Sequence, residues 1–141
     1  MRHDPNSNTK VAALVDNLAI SSTFTEDTVV DTLGFRFAHI IVPLGAATGT
    51  APTLSLQIEA GAVSDGSSPS DITGAVITAD GTDDDTVFQG VIDLKKVGAR
   101  YLSCTGTIGG TTPSFTLAVL VVLSDQLDSG LFTKDTLTFN V

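Results

Sequence analysis

The chain has 141 residues, 42% of them hydrophobic, and a formal net charge of −9 at pH 7. Its length fits one domain, and so large an apolar share excludes disorder of the whole chain. The seven Lys and Arg residues face sixteen acids, and none of the seven lies between Phe37 and Leu94. Because nucleic acids and anionic membrane surfaces are bound through Lys and Arg, the composition argues against both partners.

The apolar residues are typical of a β-sheet, and the single cysteine is typical of a protein from a reducing compartment. Seven Phe, one Tyr and no Trp leave the core to Val, Ile and Leu, whose side chains pack well on a pleated surface. The single cysteine, Cys104, cannot form an intramolecular disulfide and is predicted to be a small buried residue. The longest apolar run, Leu117–Leu123, is too short to span a bilayer as a helix, and no secretory signal is evident. We therefore expect a protein made and kept in a cytoplasm, or in a particle assembled there.

The first 22 residues differ from the rest. Residues 1–10 are polar, and the apolar residues that follow have the helical spacing i, i+3, i+4 and i+7. A helix of about two turns is marginal on its own, so we predict an extended arm over residues 1–22 that contacts a partner. Its candidate contact residues are Arg2, His3, Lys10, Val11, Leu14, Val15 and Leu18.

From residue 23 onward, extended runs alternate with turn residues. Leu54–Glu59 alternates apolar and polar side chains, as a half-buried strand does, whereas Phe115–Leu123 is apolar on both faces, as in a strand covered from two sides. Gly45–Pro52 and Gly109–Pro113 predict a loop and a hairpin turn. The other predicted strands are Phe35–Leu44, Asp71–Thr78, Val87–Leu94, Arg100–Ile108 and Thr136–Val141.

This pattern predicts an all-β, single-domain antiparallel β-sandwich over residues 23–141, because short strands recur at about ten-residue spacing. A jelly roll is its natural form, and a closed barrel is the alternative. Residues 125–141 form either the last strand or a C-terminal extension. No internal repeat is evident.

No group of residues predicts catalysis, a cofactor or a metal. The densest acidic cluster, Asp80 with Asp83–Asp85, lacks the spacing of an EF-hand calcium loop. His3 and His39 have no second His or Cys at zinc-ligand spacing, and no Gly-x-Ser-x-Gly elbow predicts a catalytic serine. We therefore predict a protein that is not an enzyme, with a solvated acidic turn at Asp83–Asp85.

The only basic cluster is Lys95, Lys96 and Arg100. Two interpretations stay open: a patch that meets an acidic partner or the acidic face of a neighbouring copy, and a solvated loop.

Two stretches carry a resemblance to a known family. The first is Arg2-His3-Asp4-Pro5-Asn6-Ser7-Asn8 with the following Val11-Ala12-Ala13-Leu14-Val15; the second is Val30-Asp31-Thr32-Leu33-Gly34-Phe35 before Ile40-Ile41-Val42. In these, and in Leu56-Gln57-Ile58-Glu59 and Arg100-Tyr101-Leu102, the chain resembles small virion proteins of tailed bacteriophages, the capsid cement or head decoration proteins.

The resemblance implies a β-sandwich or jelly roll that binds the outside of an assembled capsid. The implied partners are the major capsid protein and further copies of the chain, as a homotrimer. The implied location is the capsid exterior of a virion assembled in the bacterial host cytoplasm. The expected function is therefore that of a structural protein that stabilises the shell.

Two other functions remain as alternatives. One is a tail- or connector-associated virion structural protein of the same fold, which would be present in far fewer copies per particle. The other is a carbohydrate-binding β-sandwich module, which would need exposed aromatic rings such as Tyr101.

Overall fold

The computed structural model describes residues 9–25, 28–125 and 138–141. These residues contain eight strands and one single-turn helix. The strands are β1 (Thr9–Ile20), β2 (Phe24–Thr25), β3 (Val30–Asp31), β4 (Phe37–Gly61), β5 (Ser70–Asp80), β6 (Val87–Asp93), β7 (Tyr101–Ser124) and β8 (Phe139–Asn140), and the helix α1 (Leu94–Val97) lies between β6 and β7.

Two very long strands organise the sheet. β4 has 25 residues and β7 has 24, and they pair antiparallel from Phe37 opposite Ser124 to Gly61 opposite Tyr101. The predicted loop Gly45–Pro52 and the predicted turn Gly109–Pro113 are wrong, because both segments continue within these strands. Their glycines and prolines mark a bend in a paired ribbon instead of a chain reversal.

The bend depends on two glycines that face the opposite strand. Gly49 has φ +109° and Gly110 has φ +114°. A Cβ on Gly49 would lie 2.6 Å from the carbonyl oxygen of Thr112, and a Cβ on Gly110 would lie 2.7 Å from that of Ala51. Only glycine combines this φ with so close a backbone approach, and register shifts within the same stretch let the strands turn together.

The bend contains the same four-residue pattern in both strands. Gly49-Thr50-Ala51-Pro52 and Gly110-Thr111-Thr112-Pro113 share the order Gly-Thr-x-Pro. Thr50 lies opposite Thr111 in the ladder, and both x residues, Ala51 and Thr112, have positive φ. The two strands therefore make the same local turn, one on each side of the ribbon.

Folding at the bend produces two half-sheets. The first half-sheet contains β1, the C-terminal part of β7, the N-terminal part of β4, β6 and β8; the second contains β2, β3, the N-terminal part of β7, the C-terminal part of β4, and β5. At one side β5 lies against β6 and β8, and at the other β1 lies against β3. One hydrophobic core fills the space between them, with fully buried side chains from both, among them Ile40, Leu56, Ile77, Leu102, Phe115 and Leu117.

Two phenylalanine rings complete the core by lying over strand glycines. Phe139 is opposite Gly90 and Phe24 is opposite Gly106, and a Cβ on either glycine would overlap the ring. Because glycine has no side chain, each of these positions leaves room for the phenylalanine ring of a two-residue strand. The rings thereby hold β2 against β7 and β8 against β6.

The prediction of an all-β single domain is confirmed. The jelly-roll form is corrected, since the eight described strands form one continuous sheet in place of two separate ones. The sheet is also not wholly antiparallel, because β8 pairs parallel to β6. The predicted last strand is β8, shorter than expected at Phe139–Asn140.

The predicted separate arm is corrected over its described part. Thr9–Ile20 is β1, which pairs with β7 from Thr9 opposite Ser124 to Ile20 opposite Phe115. Leu14 and Val15 are 2% and 1% exposed within the core. This segment is therefore an edge strand of the domain, and residues 1–8 lie outside the described part of the chain.

A substitution at the bend tests its role. Gly110→Ala should lower the free energy of unfolding by about 2–3 kcal/mol, since the new Cβ meets backbone atoms and the positive φ is strained. Gly34→Ala is the matched control, because Gly34 also has positive φ (+88°) but open space around it. It should cost about 1 kcal/mol. Urea unfolding curves measure both, and equal losses would contradict the close approach as the constraint.

Candidate partner-binding surfaces

The outer faces of the two half-sheets differ in chemistry. Most outward residues of the first half-sheet are apolar and form what we call the apolar face: Val11, Ala13, Ile41, Pro43, Val87, Ala118, Leu120 and Val122, with His39, Gln89 and Thr116 as polar neighbours. Outward residues of the second half-sheet form what we call the polar face: Ser55, Gln57, Glu59, Thr78, Ser103, Thr105 and Thr107. The molecule therefore has two sheet surfaces of opposite character around one core.

Cross-strand register assembles the apolar face. Leu120 lies opposite both Ile41 and Ala13, and Val122 lies opposite Val11. The sequence neighbours of Ile41, Leu120 and Val122 that are buried point into the core, because successive side chains of a strand alternate between faces. Four adjacent strands thus contribute side chains to one surface.

Exposure of the apolar face is greatest at its two margins. Val11 is 68% exposed on β1 and Val87 is 52% exposed on β6, while Ile41, Leu120 and Val122 between them are partly exposed. Val91 and Ala118 on the same side are 1% and 9% exposed, so the face is exposed mainly at its margins. Exposed apolar surface marks interaction sites in soluble proteins.

His39 lies on the same side of the first half-sheet but is 2% exposed. Its Nε2 atom lies 3.2 Å from the hydroxyl oxygen of Ser124. His39 therefore faces outward from the sheet but is covered by other residues, and it lies opposite Val91 and Val122.

On the polar face, three polar residues form a row across three strands. Glu59 of β4 lies opposite Asp71 of β5 on one side and Ser103 of β7 on the other. Glu59 is 8% exposed and Ser103 is 2% exposed, and the Thr105 hydroxyl donates to Glu59 Oε1 over 3.4 Å. Neither Glu59 Oε2 nor the Ser103 hydroxyl has a hydrogen-bond partner.

The pKa of Glu59 lies above its ordinary value of 4.5. Burial is the largest cause, since it disfavours the charged carboxylate, and the negative charge of Asp71 is the second. The nearby hydroxyl groups of Thr105 and Ser103 favour the charged form and oppose the shift. The carboxyl group of Glu59 is thus in an unfavourable position when it is ionised.

The described basic residues lie at the end of the molecule opposite the bend. Lys10 is opposite Leu123, and the backbone of Arg36 bonds to Ser124. Arg36 is also 3.8 Å from Asp93 and stands over the Phe37 ring. Lys95 and Lys96 are exposed on α1, which Asp93 caps through the backbone N–H of Lys95.

Arg100 of the predicted basic cluster is bound within the chain. Its guanidinium donates to both carboxylate oxygens of Asp31, over 2.8 and 2.7 Å. This pairing lowers the pKa of Asp31 well below its ordinary value, with help from the Leu33 backbone N–H. Lys95 and Lys96 are therefore the part of the cluster available to an acidic partner.

The predicted acidic turn is a hydrogen-bonded structure. Asp80 accepts from the backbone and side chain of Thr82, and Asp83 accepts from the backbone of Asp80. Asp84 accepts from the backbone of Ala47 over 2.7 Å, which ties the turn to the bend. Within the described ranges no group of three His, Cys, Asp or Glu side chains is placed to hold a metal ion. Cys104 is buried, as expected.

The predicted contact residues have different positions. Lys10 and Val11 are exposed on β1, and Leu18 lies in β1 opposite Leu117. Leu14 and Val15 are corrected, because they are core residues and cannot meet a partner while β1 stays in the sheet. Arg2 and His3 lie outside the described residues. The predicted contact residues do not include Ile41, Leu120 and Val122, although the sequence of Phe115–Leu123 is apolar on both faces.

Comparisons with known proteins give a distant likeness. No family model matches the chain, and no curated protein matches it. A crystal structure of SPBc2 prophage-derived protein YomS has 10% sequence identity and a TM-score of 0.48, over 86% of this chain and 99% of that one. A likeness at this level does not carry a function from one chain to the other. Within the part of the chain that the structure describes, no helix has the length and apolar character to cross a membrane.

A substitution at Glu59 tests the strain on the polar face. At pH 7, with a chelator present to remove divalent cations, Glu59→Gln should raise the free energy of unfolding by about 1 kcal/mol. The reason is that the substitution removes a buried charge that has an unpartnered oxygen. A raised pKa means that the folded protein binds the proton more readily, so the parent gains stability as the pH falls through that pKa. The advantage of the variant should therefore shrink toward pH 4.5.

Asp65→Asn is the matched control for that measurement. The pKa of Asp65 is lowered by Ser67, so its neutralisation should give no gain at pH 7. Urea unfolding across pH measures both variants, and a Glu59→Gln advantage that does not depend on pH would contradict the account.

Proposed function

We propose that this protein is a bacteriophage virion structural protein that binds the outer capsid surface and stabilises the shell, as a cement or decoration protein. The observation that carries the proposal is the apolar face, with Val11 and Val87 exposed at its margins. The sequence resemblance to cement proteins supports it independently. The role is structural, without catalysis or a cofactor.

The two outer faces give the proposed orientation on the shell. The apolar face turns toward the major capsid protein, where burial removes its side chains from water. The polar face, with its serine and threonine hydroxyls, turns toward solvent. The excess of acids over bases, a net charge of −9, keeps a densely decorated particle soluble.

The size of the apolar face favours an oligomer. Four strands about 4.8 Å apart and seven residues long span on the order of 450 Å², and His39, Val91 and Ala118 within that area are already buried. A stable interface buries about 800 Å² on each partner, so one copy would bind the shell weakly. Linked copies in a homotrimer would bind through avidity, and we propose that state.

The alternatives keep their separate tests. A tail- or connector-associated protein would be present at about a dozen copies per particle, against hundreds for a cement protein, so copy number separates the two.

The carbohydrate-binding alternative needs an exposed aromatic face. The Arg100 guanidinium lies 5.1 Å from the centre of the Tyr101 ring and covers a face that a sugar would need. The cement proposal is therefore the one that the geometry supports best.

Charge placed on the apolar face tests the proposal. Val11→Lys and Val87→Lys should each weaken binding to empty shells of the encoding phage about tenfold, because a charged end replaces a side chain whose burial contributes about 1.5 kcal/mol. Cosedimentation with shells measures the binding. Both positions are more than half exposed, so the fold should be retained, which circular dichroism checks.

Thr107→Lys is the matched control, with the same change of charge on an exposed residue of the polar face. It should bind shells like the parent protein. Equal losses in all three variants, or none, would show that the apolar face is not the contact surface.

A further inference from the structure

We propose that Glu59, Asp71 and Ser103 bind a hydrated divalent cation such as Ca²⁺ on the polar face. The three residues lie directly opposite one another on β4, β5 and β7. This inference is independent of the proposed role on the capsid.

Buried oxygens without partners point to the ligand. Glu59 Oε2 and the Ser103 hydroxyl oxygen have no hydrogen-bond partner, although their residues are only 8% and 2% exposed. An ionised carboxylate buried without a partner is costly. A cation beside Glu59 supplies that missing partner and neutralises the repulsion from Asp71.

The donor set suits a weakly held, hydrated ion. Ca²⁺ takes six to eight oxygens in a flexible geometry, and Mg²⁺ keeps several waters when only one or two carboxylates are present. Here two carboxylates and the Ser103 hydroxyl are available, with the Thr105 hydroxyl at Glu59 Oε1. We expect water to fill the remaining positions and a Kd of about 10⁻⁴–10⁻³ M.

The row is accessible at Asp71, while Glu59 and Ser103 are buried. Asp71 is exposed and borders a cavity of about 720 Å³, which the loop residues Ala62 and Ser68 and the α1 residues Lys96 and Val97 also line. The acidic turn offers no comparable site, because its carboxylates Asp80, Asp83 and Asp84 already accept hydrogen bonds.

The bound ion would hold three strands of the second half-sheet together and should raise the thermal stability of the domain. Calcium at about ten times the Kd should raise the midpoint of thermal unfolding by roughly 3–6 °C relative to the same protein in chelator. Isothermal titration with CaCl₂ should show one site per chain.

Three variants locate the effect. Glu59→Gln and Asp71→Asn should abolish the calcium-dependent rise and the titration signal, while Asp85→Asn should retain both. Asp85 is a matched control because it is exposed, lies at the far end of the molecule and has a positive φ of 58° that Asn tolerates. Because Glu59→Gln is expected to remain folded when chelator is present, a missing calcium response in this variant would not be due to unfolding.

Two results would overturn the proposal. One is a calcium response that survives in both Glu59→Gln and Asp71→Asn. The other is stability that changes with pH but not with calcium, since the carboxylate pair would then hold a shared proton and no cation.

Discussion

The fold depends on the close backbone approach at Gly49 and Gly110, where two long paired strands bend together. Without this bend, β4 and β7 would form a flat ribbon with its apolar side in water. Bending brings the two halves of each strand face to face and lets Leu, Ile and Val side chains from both pack into one core. Their burial is the main favourable contribution to folding.

The same bend creates the two outer faces and separates charge along the molecule. Both ends of the ribbon meet at one end of the domain, where Asp31 pairs with Arg100 and α1 carries Lys95 and Lys96. The acidic turn lies at the opposite end, tied to the bend by Asp84. The two sheet surfaces follow from alternation, since every residue between two core positions must point outward. The domain therefore has one mainly apolar and one mainly polar outer surface, on opposite sides of the core.

The sequence predicted the class of fold and most strand positions, because alternation and turn residues report local structure directly. Prediction from the sequence failed where β-bulges interrupt the alternation of inward and outward side chains. In β1, register shifts after Ala13 and Val15 place Leu14 and Val15 in the core together, and this spacing resembles that of a helix. At the bend, Gly-Thr-x-Pro is typical of loops, and the pairing that keeps it in the sheet is a long-range contact. For the same reason the burial of Glu59 could not be predicted, although its outward position could.

The most direct test is hydrogen–deuterium exchange of the full chain, free and bound to shells, with hydroxyl-radical footprinting of side chains. The account predicts that binding lowers side-chain labelling of Val11, Val87 and Leu120 on the apolar face and slows exchange along β1. Labelling of the polar face should stay unchanged. Protection of the polar face with an unaffected apolar face would contradict the central claim.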